Sequence, residues 1–250
     1  MFEDWLIPDW PAPTNVRALF TTRVGGCSQT PFDSLNLALH VGDDEAAVNR
    51  NRSLLSRAGV PERVQWLQQV HGIQVVEAGE EGWTLTADGC FTREPNVVCA
   101  VMTADCLPVL LCDQAGSQVS AVHAGWRGLA DGVLRSAVSC FKEPENLLAC
   151  LGPAIGQRHF EVGVEVLEAF YNSAVDEVHL GMIGAAFAPS RSRPLKYHAD
   201  LALLARAELA ALGVTRVYGG GYCTYADGSR FYSYRRDGDT GRMAALIWRQ

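Results

Sequence analysis

Short apolar runs, each ending at a turn of glycine or polar residues, recur along this chain and constrain its fold most. These runs lie at residues 18–22, 64–70, 73–76, 96–102, 107–111, 119–123 and 243–248. Runs of this length bounded by turn residues predict strands, and continuous apolarity predicts strands buried on both faces. Residues 64–70 and 73–76 flank His71-Gly72 as the two strands of a hairpin would.

Helical periodicity separates the strands. Apolar residues at helical spacing predict helices over residues 44–58, 129–141, 163–172 and 199–212. Gly59 and Gly213 follow two of them at the position where glycine commonly ends a helix. Because strands and helices alternate imperfectly, we predict a mixed α/β (α+β) fold with mixed sheets flanked by helices. No linker-like segment divides the chain, so residues 1–250 are predicted to form a single domain.

Composition narrows the function classes. The chain is 48% hydrophobic and carries 28 acidic against 21 basic residues, a formal net charge of −7. A negative chain disfavours nonspecific binding of nucleic acid or of anionic membranes, which need a positive field. The first residues are acidic, and no apolar stretch reaches the length of a spanning helix, about 18 residues. We therefore expect a cytoplasmic protein that binds neither nucleic acid nor membrane, and the sequence carries no signal for an oligomeric state.

The eight cysteines are scattered and form no Cys-x-x-Cys pair. A chain of 250 residues does not need disulfides for stability, and a reducing compartment would not maintain them. Most are therefore expected to be small buried side chains.

Three polar residues stand at ends of apolar runs, namely His71, Cys106 and His123. Strand ends can converge at one edge of a sheet. Two imidazoles and one thiolate are a zinc-ligating set that leaves the fourth tetrahedral position for water or substrate. The same Cys106 and histidine pairing is also the minimal nucleophile of a cysteine hydrolase, with Asp105 or another acid orienting the imidazole.

Two arginines are candidate anion ligands. Arg23 precedes residues 25–28, whose backbone N–H groups could form an anion-binding nest. Arg127 follows His123 just before a predicted helix start, where the helix dipole favours anions. A guanidinium matches phosphate well, and a solvated or structural role is the alternative for each.

Several segments together carry a family resemblance. They are Thr-Thr-Arg-Val-Gly-Gly-Cys-Ser (21–28), Pro-Phe-Asp-Ser-Leu-Asn-Leu (31–37), Gln-Val-His-Gly (69–72), Ala-Asp-Cys-Leu-Pro (104–108), His-Ala-Gly-Trp-Arg-Gly (123–128), Leu-Gly-Pro-Ala-Ile-Gly (151–156), Phe-Glu-Val-Gly (160–163), Cys-Thr (223–224) and Phe-Tyr-Ser-Tyr-Arg-Arg (231–236). In this order, over nearly the whole chain, they resemble the YfiH or laccase-domain family, also called polyphenol oxidase or peptidoglycan-editing factor.

The resemblance implies a single-domain zinc protein whose ligands map onto His71, Cys106 and His123. It implies phosphorolysis of adenosine, inosine and S-methyl-5′-thioadenosine to free base and ribose 1-phosphate, with adenosine deaminase activity beside it. Two alternatives come with the family: an amidase, cysteine- or zinc-dependent, that edits a peptidoglycan precursor, and a copper-dependent polyphenol oxidase. No two of the six histidines are separated by a single residue, and no methionine follows Cys106 in a ligand loop, which argues against a cupredoxin-type copper centre.

These residues suggest roles in nucleoside chemistry. For deamination, Asp105 is the candidate proton-transfer group beside an activated water. For phosphorolysis, Arg23 and Arg127 would hold the phosphate that attacks C1′ of the nucleoside. A non-catalytic alternative is a binding protein that zinc merely stabilises.

Overall fold

Two large sheets organise the protein, whose computed structural model describes residues 4–79 and 84–250. Strands and helices are numbered in chain order. The larger sheet has six strands in the order β14 (Arg216–Gly219), β10 (Leu147–Leu151), β8 (Leu107–Asp113), β9 (Val119–Ala124), β6 (Gly89–Thr92) and β4 (Val75–Glu77). Its central pairs β10–β8, β8–β9 and β9–β6 are antiparallel, whereas both edge strands pair in parallel.

The second large sheet has four strands in the order β1 (Val16–Phe20), β15 (Met243–Arg249), β7 (Val97–Thr103) and β2 (Arg63–Gln65). A three-stranded sheet contains β11 (Glu161–Gly163), β13 (Lys196–Ala199) and β12 (Phe187–Pro189). A short parallel pair joins β3 (Leu67–Gln68) to β5 (Leu85–Thr86). The C-terminal run predicted to join a sheet is β15, a central strand.

The helices are α1 (Glu45–Arg57), α2 (Trp126–Asp131), α3 (Val133–Ser139), α4 (Val164–Ser173), α5 (Glu177–Ala185), α6 (Leu201–Ala211) and α7 (Tyr234–Asp237). The helices predicted over 44–58, 163–172 and 199–212 correspond to α1, α4 and α6. Local chemistry sets their starts, because the Asp44 carboxylate accepts from the Ala47 N–H and the Asp200 carboxylate from the Leu203 N–H. Helices α5 and α7 were not predicted.

Successive side chains of a strand point to opposite faces of the six-stranded sheet, so one face packs against helices and the other against the four-stranded sheet. Leu107, Val109 and Leu111 of β8 pack with the helices α2, α3, α4 and α6, whereas Leu110 and Cys112 face the four-stranded sheet. The far face of the four-stranded sheet packs against α1 and neighbouring loops. The two sheets thus lie face to face between outer helices, and their central strands are buried on both sides.

Two local predictions were wrong. The helix predicted over 129–141 is divided between α2 and α3, because Gly132 adopts a left-handed φ of 102°. The runs around His71-Gly72 do not form a hairpin: β2 pairs with β7 of the four-stranded sheet, and β4 pairs with β6 of the six-stranded sheet. The loop that contains His71 therefore crosses between the two sheets.

The fold class, mixed α/β with mixed sheets and flanking helices, is confirmed. The extent of the domain, 1–250, stays a prediction, and residues 1–3 and 80–83 of it lie outside the described residues. Within the described residues, no helix combines the length and apolarity needed to cross a bilayer.

Candidate metal centre

His71, Cys106 and His123 come together in the structure. One ligand atom from each lies within 4.8 Å of the others. The Cys106 Sγ lies 3.7 Å from His71 Nε2, and the two imidazole centroids are 4.8 Å apart with the rings at 78°. Two nitrogens and a sulfur at these separations can hold one metal ion.

The pairing of β8 with β9 explains why residues distant in sequence meet. In this antiparallel register, Leu107 lies opposite Ala124 and Pro108 opposite His123. Cys106 immediately precedes β8, so it lies beside the end of β9 that carries His123. Strand pairing thus fixes two of the three ligands relative to each other before any metal is considered.

Asp88 places the third ligand. This fully buried carboxylate accepts hydrogen bonds from the backbone N–H groups of Val70 (3.1 Å), His71 (2.9 Å) and Gly72 (2.7 Å). Its Oδ1 also lies 2.7 Å from Nδ1 of His123. One carboxylate therefore holds the loop of one histidine and the ring of the other.

The contact between Asp88 and His123 has a chemical consequence. With Nδ1 donating to the carboxylate, Nε2 of His123 is left as the metal-facing nitrogen, the arrangement commonly found around histidine ligands. Our sequence reasoning missed Asp88. The available signal was a lone acidic residue in Ala87-Asp88-Gly89, just before β6 and within an otherwise uncharged stretch, 84–92.

Gly125 lies directly against the His71 ring and the Cys106 sulfur, where there is no space for a side chain. A Cβ at this position would lie 2.8 Å from His71 Cδ2 and 3.1 Å from Cys106 Sγ. A side chain there would displace two ligands, so the glycine in His-Ala-Gly-Trp-Arg-Gly is required by packing around the site. Gly128 plays a similar part, because a Cβ there would lie 2.6 Å from the Gly72 carbonyl oxygen.

Electrostatics favour a thiolate at Cys106. Burial by itself raises the pKa of this thiol. The neighbouring His123 and His71 lower it by more than burial raises it, and the resulting pKa is about 6. Burial lowers the pKa of His123, but Cys106 and Asp88 raise it to about 9. Burial likewise raises the pKa of Asp88, and hydrogen bonds from His123 and the Gly72 N–H bring it below its usual value. The two imidazoles thus favour the thiolate form of Cys106 near neutral pH.

The three ligands line a cavity of about 320 Å³. Eleven other residues complete its wall: His40, Gln69, Met102, Thr103, Ala104, Asp105, Ile155, Phe160, Tyr234, Arg235 and Arg242. The wall combines apolar, aromatic and cationic groups around the ligand atoms. This combination suits a partly apolar ligand that carries an anionic group.

Asp105 lines this cavity, but both of its carboxylate oxygens already accept hydrogen bonds. Thr224 Oγ1 donates to Oδ1 (2.6 Å), and the Arg235 N–H donates to Oδ2 (2.7 Å). The Asp105 carbonyl also accepts from the Ile155 N–H, and the residue has a left-handed φ of 93°. Asp105 therefore ties the turn that carries Cys106 to two neighbouring segments of the wall.

Arg23 and Arg127 are not among the residues that line the cavity. Arg23 donates to the Asp33 and Gly228 carbonyls and forms an ion pair with the Asp33 carboxylate at 3.2 Å. Arg127 is exposed and lies over the Trp126 ring, 4.4 Å from its centroid. The structure thus does not bring the two predicted phosphate ligands to the His-Cys-His group.

The predicted anion nest after Arg23 is closed by side chains of the protein. The amides of Gly25 and Gly26 donate to Ser34 Oγ, and the Cys27 amide donates to Asn51 Oδ1. These internal partners take the place that an anion would occupy. Asn51 lies in α1 and Ser34 in the loop before it, so contacts between separate segments, which the local sequence does not show, decide this outcome.

Two other arginines do line the cavity, and sequence reasoning missed both as anion ligands. Arg242 donates from Nη1 to the carbonyls of Thr240 and Gly241, and its remaining guanidinium N–H groups are candidates for a ligand. Burial lowers the pKa of Arg242, whereas nearby Cys106 and other acidic groups oppose that shift. Arg235 donates to two backbone carbonyls and lies over the Phe160 ring. The cavity therefore contains positive charge beside the thiolate.

The metal-free protein should show the depressed pKa of Cys106 directly. Because the thiolate is the reactive form, the rate of alkylation at Cys106 should rise with pH around a midpoint of about 6. Below that pH the thiol is protonated and slow, and above it the rate should level off. Peptide mapping after brief iodoacetamide treatment between pH 4.5 and 9.5 measures this. A midpoint above pH 8 would contradict the electrostatics of the site.

Sequence comparison finds relatives that match nearly the whole chain. A purine nucleoside phosphorylase of Pseudomonas aeruginosa, PA4543, is 53% identical over 247 residues, covering 98% of both chains. The purine nucleoside phosphorylase YfiH of Escherichia coli K12 is 52% identical over 246 residues, covering 97% of this chain and 98% of the relative. The described chain is thus similar to these relatives over nearly their whole length.

Solved structures show the same fold. Protein NMB0706 of Neisseria meningitidis superposes with a TM-score of 0.92 at 48% identity, covering 99% of this chain and all (100%) of that one. YlmD of Geobacillus stearothermophilus superposes with a TM-score of 0.89 at 32% identity, covering 98% and 96%. The arrangement of two facing sheets between helices is shared with both.

Fold and site together define a class: mixed α/β proteins whose strand ends present two histidines and a cysteine to one cavity. A family model described as multi-copper polyphenol oxidoreductase laccase matches residues 17–250. The chain belongs to this laccase-like YfiH family, as its sequence motifs predicted.

Proposed function

We propose that this protein is a zinc-dependent purine nucleoside phosphorylase. Its substrates would be inorganic phosphate and adenosine, inosine or S-methyl-5′-thioadenosine, and its products the free base and the corresponding ribose 1-phosphate. The observation that carries the proposal is the meeting of His71, Cys106 and His123 in a cavity that also contains Arg242. The proposal is supported by relatives that are 53% and 52% identical to this chain and are named purine nucleoside phosphorylases.

Zinc fits the donor set. Two imidazoles and a thiolate leave one tetrahedral position for a reactant, and Asp88 supplies the hydrogen bond that such histidine ligands usually make. When bound there, zinc would supply Lewis-acid stabilisation of negative charge. Copper is the alternative that the family description suggests, since blue-copper centres also use two histidines and a cysteine. Among the described residues, however, this is the one group suited to a metal, whereas a multi-copper centre needs more.

The residues of the chain would divide the phosphorolysis between them. Arg242 and Arg235 would hold the phosphate that attacks C1′ as the purine leaves. Apolar wall residues, among them Ile155 and Phe160, would bury the base or the ribose and exclude water. The sequence predicted Arg23 and Arg127 as phosphate ligands, and this stays a hypothesis. Either arginine would have to contact the phosphate from outside this cavity, because neither lines it.

Adenosine deaminase activity is the second part of the proposal. It needs a group that moves protons between the attacking water and the purine. Asp105 is the acidic residue of the cavity wall, and its two hydrogen bonds hold it next to Cys106. We assign it the proton transfer, with release of one of its partners, Thr224 or the Arg235 amide, during the reaction.

One experiment tests the metal and the reaction together. Elemental analysis of the purified protein is combined with a nucleoside panel, each assayed with and without phosphate. We expect stoichiometric zinc and cleavage of adenosine, inosine and S-methyl-5′-thioadenosine that depends on phosphate. Copper together with phenol oxidation, or nucleoside cleavage that is indifferent to phosphate, would overturn the proposal.

A cysteine-dependent amidase that edits a peptidoglycan precursor is the second candidate, and the low pKa of Cys106 between two imidazoles is the observation that favours it. The two candidates respond differently to reagents. A cysteine amidase should resist chelators and lose activity on thiol alkylation. The phosphorylase should lose activity when a chelator removes zinc and regain it when zinc is returned.

Arg242→Gln tests the phosphate assignment. Losing a charge-assisted hydrogen bond costs about 1.5–3 kcal/mol, so KM for phosphate should rise about tenfold or more. Zinc content and KM for inosine should change little. Arg127→Gln is the matched control, because Arg127 is exposed and outside the cavity wall. If only the Arg127 variant changed KM for phosphate, the assignment would pass to the residue predicted from the sequence.

A further inference from the structure

A second cysteine–histidine pair lies outside the metal centre. Cys223 Sγ is 3.5 Å from Nδ1 of His159, and the His159 ring is stacked on Tyr225 with centroids 4.5 Å apart and the planes at 18°. The stacking holds the imidazole in place beside the sulfur. Neither Cys223 nor His159 lines the cavity of the metal centre. The pair therefore has no part in the proposed phosphorolysis.

The surroundings of the Cys223 sulfur differ from those of an ordinary structural thiol. Two backbone N–H groups point at it, from Gly156 at 3.2 Å and from Ala226 at 3.4 Å. Such donors stabilise negative charge that develops on the sulfur as it reacts. Cys140 offers a contrast at similar burial, because its thiol instead donates to the Ser136 carbonyl at 3.3 Å.

The sulfur is also accessible. Cys223 is half-buried and lines an open cavity of about 580 Å³ formed by residues between Gly221 and Phe231. This cavity shares no lining residue with the cavity of the metal centre. A small molecule can therefore approach the thiol without entering the proposed active site.

We propose that Cys223 is a covalent-modification site for small soft electrophiles, with His159 as the base that takes the thiol proton. With an alkyl halide, the sulfur attacks carbon, an S–C bond forms and halide leaves, while the proton passes to His159 Nδ1. With a hydroperoxide, the sulfur attacks one oxygen and the O–O bond breaks. Sulfur is then oxidised to the sulfenic acid, and the departing oxygen, reduced to the hydroxide level, takes the proton.

Modification would also affect the metal-site cavity, and this part rests on the proposed function. The segment that contacts the sulfur through Gly156 and His159 also carries Ile155 and Phe160, which line that cavity. A Cβ at Gly156 would lie 3.1 Å from the sulfur, so little free space exists on that side. An adduct on Cys223 is expected to press on this segment and raise KM for inosine while zinc content stays unchanged.

Limited alkylation of the zinc-loaded protein tests the site itself, whether or not the phosphorylase assignment is right. Brief treatment with iodoacetamide, followed by peptide mapping, should show Cys223 modified at least about ten times faster than Cys140. His159→Phe keeps a ring against Tyr225 but removes the base, and it should slow Cys223 about tenfold or more. Treatment with a low concentration of hydrogen peroxide and a sulfenic-acid trapping reagent should likewise label Cys223 faster than Cys140. It should also label Cys223 faster in the wild type than in His159→Phe.

Cys140 serves as the internal control for folding, because its rate rises in any variant that unfolds. Equal rates at Cys223 and Cys140 in the wild-type protein would overturn the proposal. So would a His159→Phe variant in which Cys223 reacts as fast as in the wild type. An alkylated protein with unchanged KM for inosine, in an otherwise active phosphorylase, would refute the effect on the metal-site cavity.

Discussion

Cys106→Ala is expected to abolish stoichiometric zinc binding and to lower kcat/KM for inosine phosphorolysis about a thousandfold. The variant removes the one thiolate of the group and leaves two imidazoles that bind a divalent ion more weakly. Lewis-acid stabilisation of transition-state charge is worth several kcal/mol, and each 1.36 kcal/mol is about a factor of ten in rate. Elemental analysis and the phosphate-dependent cleavage of inosine measure the two effects on the same preparation.

A matched control separates this effect from the general loss of a thiol. Cys27→Ala removes an exposed cysteine that lines neither cavity, and it should leave zinc content and turnover unchanged. A melting curve should show the Cys106 variant still folded, because strand pairing rather than the metal brings β8 and β9 together. Inosine cleavage at the wild-type rate by Cys106→Ala would remove the residue from the ligand set.

The sequence placed His71, Cys106 and His123 at strand ends, and the structure brings the three side chains together. His71 follows an apolar run, Cys106 directly precedes one and His123 ends one, and antiparallel pairing of β8 with β9 is enough to bring the last two together. The central strands and three of the helices were also predictable from the sequence. Their patterns of apolar residues and their caps are local, so neighbouring residues along the chain carry the information.

The parts that could not be predicted depend on contacts between distant segments. The sequence suggested that Arg23 could bind an anion, but in the structure its guanidinium pairs with the Asp33 carboxylate and donates to the Gly228 carbonyl. Arg242 carries no motif in the sequence, yet the chain brings it to the cavity just before β15. The hairpin predicted around His71 failed because each flanking strand found a partner in a different sheet. Local patterns do not specify which sheet a short strand joins.

The role of Asp88 depends on contacts between distant segments, and it leads to the second large expected effect. Its Oδ1 faces the His71 N–H and His123 Nδ1, and its Oδ2 faces the N–H groups of Val70 and Gly72. Asparagine has only one oxygen, so Asp88→Asn must turn its NH₂ group toward one pair of donors. Either orientation leaves two donors facing another donor inside the protein, and one orientation also releases the ring of His123.

We therefore expect Asp88→Asn to lower zinc affinity about 10- to 100-fold, the range typical of a lost hydrogen bond to a metal-ligating histidine. Competition with a chromophoric chelator measures the affinity. Asp113→Asn is the matched control, since the Asp113 carboxylate also accepts from backbone N–H groups, of Ser117 and Gln118, but lies outside the metal-site wall. Both variants should lose some stability, and only Asp88→Asn should lose zinc affinity. Equal affinity in the two would mean that the loop and ring are held by the rest of the fold, and that Asp88 contributes to stability alone.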